Sequence, residues 1–245
     1  MPTVTSRRYV ARIASGPADV AAAQALRALC FVGPDAPRDA DEFDGRCTHF
    51  LIEDTHAARL VCCFRMLPLQ CGDDIEGSYS AQFYELSRLR RFAGPMAELG
   101  RFCLHPDVHD PDVLRVAWGA MTRYVDENAI EMLFGCSSFK GTDAACYRDA
   151  FAMLKERHLA PRRWLPRVKT VPVFRYAQAL RREKPDLRRA MLAMPPLLRS
   201  YLMMGGWVSD HAVVDRQMNT LHVFTGVEIS AIPATRKRLL RALAQ

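Results

Sequence analysis

The chain has 245 residues, 49% hydrophobic and 25% charged, with a formal net charge of +7. That suffices for one large domain or a domain with an appendage, and no apolar run approaches the ~20 residues of a spanning helix. Met1 to Arg8 lead into no signal-type apolar core, and the eight cysteines form no C-x-x-C pair or zinc spacing, so a reducing, cytoplasmic setting without a metal site is expected.

Tyr9 to Ala14 reads as a strand. Gly16-Pro17 opens an Ala-rich helix over Ala18–Phe31, which Gly33-Pro34 ends. An acidic loop from Asp35 to Asp44 follows. His49–Glu53 and Leu60–Pro68 read as a hairpin around a turn at Asp54–Ala58. Gly72–Gly94 has no clean period. Met96–Leu104 is the next strand, and Pro106 ends it. Asp110-Pro111 starts an amphipathic helix over Val113–Val125. Met132–Cys136 is a strand, Asp143–Leu154 a helix and Thr170–Tyr176 a strand. This order predicts an α/β domain on a mixed sheet over residues 1–183, antiparallel early, with crossover helices later. From Lys184 the texture becomes Met, Leu and Pro interleaved with Arg. A second subdomain, 184–245, is expected, with a helical start and strands near Ala212–Val214 and His222–Val227.

Glu98, Arg101 and His105 share one short apolar strand. Alternation puts Glu98 with Gly100 and Phe102, and Arg101 with Leu99 and Cys103. The two charges meet directly only across a bulge, which Gly100 permits. An isolated E-x-x-R is ordinarily a structural ion pair. The basic stretches 88–91, 157–169 and 181–189 accompany no helix-turn-helix, zinc-finger or RNP pattern, so acidic protein or lipid is a better partner than nucleic acid.

Four motifs in sequence change the weight of that pair. They are Arg27 with Phe31, then Asp41-Glu42-Phe43-Asp44, then Phe64-Arg65-Met66-Leu67-Pro68, then Glu98-Leu99-Gly100-Arg101. The series resembles the acyl-homoserine-lactone synthase branch of the GNAT acyltransferases. Pro37 and Ala97 stand where those synthases usually carry tryptophan. The stretches 98–106, 134–143, Leu159-Ala160-Pro161 and 201–223 resemble instead the bacterial L-ornithine Nα-acyltransferases, and the resemblance spans residues 9–230. It implies the GNAT fold, a mixed and mostly antiparallel sheet flanked by helices. It also implies transfer of a 3-hydroxyacyl group from acyl carrier protein to the α-amine of L-ornithine, giving lyso-ornithine lipid, with acyl-carrier thioester as co-substrate and no bound cofactor.

On that resemblance Glu98 is the expected base and His105 the second choice. Arg27, Phe31, Asp41, Asp44, Arg65 and Arg101 form the expected substrate-binding set. Arg65 or Arg101 would hold the ornithine carboxylate, Asp41 and Asp44 its side-chain ammonium. An ion pair from Arg27 to one of these acids is equally in keeping with its apolar helix. Cys103, Ser137, Ser138 and Phe139 are expected near the acyl and pantetheine arm; helix capping is the plainer reading of the serines. An acyl-cysteine on Cys103 or Cys136 lacks an activating His in sequence, so direct attack is favoured. GNAT enzymes that use CoA usually carry a glycine-rich phosphate loop. Here His105–Leu114 has no glycine and three aspartates, which disfavours pyrophosphate. Arg157, Arg162, Arg163, Arg167 and Lys169 are the expected face for the acidic carrier. The Arg181–Trp207 segment suits an acyl-tunnel wall, a peripheral membrane surface or plain core. A signal-synthase-like enzyme and a non-catalytic acyl-carrier or lipid-binding module are the alternatives.

Overall fold

Apolar periodicity and turn residues set most of the elements. In chain order they are β1 (Val4–Thr5), β2 (Tyr9–Ile13), α1 (Pro17–Phe31), β3 (Thr48–Asp54), β4 (Arg59–Leu69), β5 (Tyr84–Glu85), β6 (Met96–Leu104), α2 (Pro111–Glu127) and β7 (Met132–Lys140). They continue as α3 (Arg148–Arg157), β8 (Arg167–Val168), β9 (Val173–Phe174), α4 (Tyr176–Ala179), α5 (Leu187–Ala193), α6 (Pro196–Met203), β10 (Trp207–Val208), β11 (Ala212–Asp215), β12 (Thr220–Glu228) and α7 (Ala234–Leu243). The computed structural model describes residues 4, 5 and 8–244, so part of the N-terminal stretch read for targeting, residues 1–3, 6 and 7, lies outside it. Among the described residues no helix is long and apolar enough to cross a membrane.

The chain divides into two units, Met1–Pro68 with Leu99–Ile130 and Ala234–Gln245, and Leu69–Glu98 with Glu131–Pro233. No boundary falls at 184: residues 184–233 belong to the second unit and 234–245 to the first.

In the first unit the strand order is β1-β2-β3-β4-β6. The ladders from β1 to β4 are antiparallel. α1 begins on Pro17, which gives up no helical hydrogen bond there. It stops where Gly33 takes φ 139° and donates its N–H to the Ala28 carbonyl. Its Ala23 and Leu26 pack on Leu51, Cys63 and Cys103. α2 is capped by Asp110, whose carboxylate accepts the Asp112 N–H at 2.9 Å. No element is expected from the sequence over Ala234–Leu243, where α7 lies. This helix is seated on α2 where Gly119 has no side chain, since a Cβ there would meet the Leu243 carbonyl. The Arg241 guanidinium binds Asp126 at 2.9 Å.

In the second unit the order is β6-β7-β12-β11-β9, with β10 on β12. Residues 96–98 of β6 run parallel to 132–134 of β7, and the other ladders are antiparallel. The sheet is therefore mixed and mostly antiparallel, as expected. Phe139, Phe151, Tyr176, Leu198, Leu221 and Val223 build the core under α3, α5 and α6.

Three expectations are corrected here. β7 does not stop at Cys136: it pairs with β12 as far as Lys140↔Thr220, so Ser137, Ser138 and Phe139 are strand residues. Asp143 caps a 3-10 turn, Ala144–Tyr147, and α3 starts only at Arg148. The strand expected over Thr170–Tyr176 shrinks to Val173–Phe174, because Tyr176 already begins a helical turn. Within Arg181–Trp207, Met194, Leu198, Tyr201, Leu202, Met204 and Trp207 are buried core, while Leu187, Met191, Leu192 and Met203 are exposed.

The aperiodic stretch from Gly72 to Arg91 folds as successive 3-10 turns. Gly72 pins them: its N–H donates to Phe92 at 2.7 Å, and any Cβ would fall on the backbone of Leu89 and Arg90. Because backbone cannot yield as a side-chain end can, Gly72→Ala is expected to lower the unfolding free energy by ~1–3 kcal/mol. Urea unfolding of the variant against the parent chain checks this.

Candidate functional site

The acidic loop after α1 is held by charges from three elements of the first unit. Arg27 of α1 puts Nε 2.8 Å from Asp39 and Nη1 2.7 Å from Asp44. Arg65 of β4 reaches both oxygens of Asp41, at 2.5 and 2.6 Å, and Asp44 at 2.5 Å. Arg101 of β6 lies 2.9 Å from Asp39 and 3.2 Å from Asp41. Gln24 donates to Asp44 at 2.9 Å. Phe43, between the two acids, is buried beneath the Arg65 guanidinium, 5.8 Å from its ring centre. The Asp44 carbonyl accepts the Nε2–H of His49 at 2.9 Å.

Three guanidiniums thus meet three carboxylates, and the formal charge cancels. Burial alone would raise the carboxyls. For Asp44 the hydrogen bonds from Arg27 and Gln24 outweigh it, and for Asp41 the bond from Arg65, so both are held below the usual carboxylate range. For Arg65 burial works against the charge, and the bonds to Asp41 outweigh it. Burial holds the His49 imidazole low, which keeps it neutral beside the arginines.

Arg27 is only 1% exposed, so it organises the loop from behind; Asp41 and Arg101, at 20% and 14%, form the open edge. Arg101 has φ 53°, a left-handed conformation that an L side chain adopts at a cost of ~1–3 kcal/mol. The regular alternation expected along β6 is therefore broken at Arg101.

Glu98 belongs to the second unit and is 4% exposed. Three donors converge on its carboxylate. The Tyr79 N–H donates to Oε2 at 2.7 Å, and the Ser80 N–H and hydroxyl donate to Oε1 at 2.7 and 2.5 Å. The β6–β7 ladder ends at the pair Glu98↔Phe134. Past it, Cys136 and Ser138 continue on the Phe134 face of β7, with Phe224 and His222 opposite them on β12. Ser80 Oγ lies 3.4 Å from the Cys136 sulfur. The Tyr84 hydroxyl donates to the His222 carbonyl at 2.7 Å and lies 3.1 Å from its Nδ1. Burial pushes the His222 imidazole down to about 4. A polar line therefore runs from Glu98 through Ser80 and Cys136, with Tyr84 and His222 further along the same face.

The remaining expected residues are placed differently. His105 is a strand-end residue: its N–H binds the Val61 carbonyl at 2.8 Å, and Nδ1 accepts the Asp107 N–H at 3.3 Å. Cys103 is core, its thiol pushed well up by its contacts with Cys30 and Cys63 and by burial. Phe31 packs beside it. Ser137 accepts from the Thr225 hydroxyl at 2.9 Å and Phe139 is fully buried, so only Ser138 of the three is exposed. Asp39, Ser80 and Tyr79 were missed. Asp39 carried the signal of an acidic loop. Ser80 and Tyr79 sit where the sequence has no period, so nothing local marks them.

The acetyltransferase (GNAT) domain family matches residues 29–119. An L-ornithine Nα-acyltransferase of Rhodobacter capsulatus is 34% identical over 239 residues, covering 91% of each chain. One of Brucella abortus is 29% identical over 240 residues, covering 90% of this chain and 84% of its own. Among solved structures FeeM, an N-acyl amino acid synthase from uncultured soil microbes, shares the fold with TM-score 0.50 at 12% identity over 97% of each chain.

Removing one charge from the balanced cluster leaves its partner buried and uncompensated. Asp44→Asn is expected to lower stability at pH 7 by ~3–5 kcal/mol. Because Asp41 and Asp44 sit below their unfolded value of 3.8, their contribution is complete above that pH and is lost as pH falls through the folded values. The variant should therefore lose part of the parent chain's steepening below pH 3.8. Urea unfolding at pH 7 and pH 3 measures both effects.

Proposed function

We propose that this chain, an N-acyltransferase of GNAT fold that belongs to the L-ornithine Nα-acyltransferase family, transfers a 3-hydroxyacyl group from acyl carrier protein to the α-amine of L-ornithine. The product would be lyso-ornithine lipid. The observation that carries the chemistry is the Glu98 carboxylate, fixed by the Tyr79 and Ser80 donors at the end of a ladder. The ornithine nitrogen attacks the thioester carbonyl, and Glu98 accepts the nitrogen's proton directly or through a water. The carbon–sulfur bond then breaks and the proton passes to the departing thiolate. Ser80 is the positioning residue, since its two donors hold Glu98 in one rotamer.

Ornithine brings one carboxylate and a side-chain ammonium. Within the first unit, the open edge of the charged cluster presents Arg101 and Asp41, charges of the two signs that a carboxylate and an ammonium require. Arg27, Arg65 and Asp44 then act as the frame that holds those two in place.

The α2 N-terminus supports a carrier-bound donor over CoA. Asp110 caps that helix with its own carboxylate, and Asp107 and Asp112 stand beside it. Pyrophosphate would meet negative charge there, whereas a carrier's pantetheine arm brings no pyrophosphate. Exposed Arg162, Arg163 and Arg167 suit the acidic carrier. Peripheral membrane contact is in keeping with exposed Leu187, Met191 and Leu192 beside Arg188 and Arg189 on α5.

Glu98→Gln is expected to lower kcat with ornithine by roughly 10²–10⁴-fold, with unchanged circular dichroism. Ser80→Ala should fall between that variant and the parent. A folded Glu98→Gln enzyme with parental kcat overturns the base assignment. With ornithine saturating, a 3-hydroxyacyl carrier-protein thioester should exceed the matching CoA thioester in kcat/KM by at least about tenfold, the scale of one lost charged contact. Equal values would assign the donor site to CoA. Mass spectrometry of the product, with lysine and glutamine as competing acceptors, tests ornithine itself.

A further inference from the structure

The first unit holds a group of thiols that the acyl transfer does not use. Cys30 is the penultimate residue of α1, Cys63 lies on β4 and Cys103 on β6. The Cys63 and Cys103 sulfurs are 3.5 Å apart. Cys30 packs against the same cluster, its sulfur 3.1 Å from the carbonyl of Leu104, the residue after Cys103. Cys103 and Cys63 are buried, at 5% and 1% exposure, while Cys30 is only half-buried. Cys30 is thus the most accessible member of the cluster, and Cys63 and Cys103 are buried in the core it packs against.

We propose that Cys30 and Cys103 are an oxidisable pair, in which Cys30 reacts with a peroxide and Cys103 closes the product into a Cys30–Cys103 disulfide. The hydrogen bond from Cys103 holds the Cys30 thiol below its ordinary range, against the effect of burial. A partly exposed, more acidic thiol beside a resolving thiol is the arrangement that reacts selectively. The Cys30 thiolate displaces hydroxide from hydrogen peroxide; a sulfur–oxygen bond forms and the oxygen–oxygen bond breaks. The Cys103 sulfur then attacks the sulfenic sulfur. The sulfur–sulfur bond forms, the sulfur–oxygen bond breaks, and hydroxide leaves as water with the Cys103 proton. Two electrons pass from the two thiols to the peroxide.

The disulfide ties α1 to β6 three residues from Arg27 and two from Arg101. Oxidation at this site therefore reports to the charged cluster through both elements.

The test uses the full chain carrying Cys146→Ser, which removes the exposed thiol. The reduced protein is treated with equimolar hydrogen peroxide at pH 7, alkylated and mapped by peptide mass. The expected result is a linked peptide joining Cys30 to Cys103, a loss of two alkylatable thiols, and reversal by dithiothreitol. In Cys103→Ser the sulfenic acid should persist on Cys30 and be trapped by dimedone. If that variant does not fold, Cys103→Ala replaces it, and the map of the Cys146→Ser chain decides alone. The proposal is overturned if Cys30 and Cys103 stay alkylatable while Cys47 or Cys71 is consumed. It is equally overturned if Cys30 passes to sulfinic acid with no disulfide in the folded chain.

Discussion

Six opposite charges drawn largely out of water are the constraint on which the first unit depends. Arg27, Arg65 and Arg101 come from a helix and two strands, and Asp39, Asp41 and Asp44 from one loop. A charge buried alone costs several kcal/mol, whereas a balanced set costs far less. The loop therefore has one arrangement in which all six are satisfied, and each displaced residue strands another. Such a cluster is better at fixing a geometry than at adding stability.

Glu98 is organised on the same principle by different means. Two backbone N–H groups and a hydroxyl hold its carboxylate, all from the turn segment that Gly72 pins at its start. Fixed dipoles hold a carboxylate in one orientation and leave its charge in place. The neutral, buried His222 and the Tyr84 hydroxyl extend the polar face without adding a competing charge.

The fold was legible in the sequence where the signal is local. The Pro17 and Pro111 starts, the Asp110 cap and the β3–β4 hairpin all follow from neighbours along the chain. The site was legible in membership but not in pairing. Arg27, Asp41, Asp44, Arg65 and Arg101 stood out as charges in apolar or patterned stretches, yet which meets which depends on tertiary contacts between residues up to 60 apart. Ser137 to Phe139 were misread because two serines look like a strand's end, while pairing with β12 carries the strand through them. Ser80 was invisible because a run of 3-10 turns has neither the helical nor the strand period. α7 was missed because its basic surface conceals the few residues that touch α2.

The route of the chain between its two units has a consequence for biosynthesis. The first unit draws on three separate stretches, of which the last is residues 234–245, and the whole second unit beyond residue 98 is made before that stretch. Its charged loop, both arginine-bearing strands and α2 emerge from the ribosome well before the helix that packs on Gly119. Vectorial folding of this unit must therefore wait with an uncovered face while about a hundred further residues are added, at ~5–20 residues per second. That interval, several seconds in which apolar surface on α2 is open, is where chaperone demand and aggregation of nascent chains are expected to concentrate.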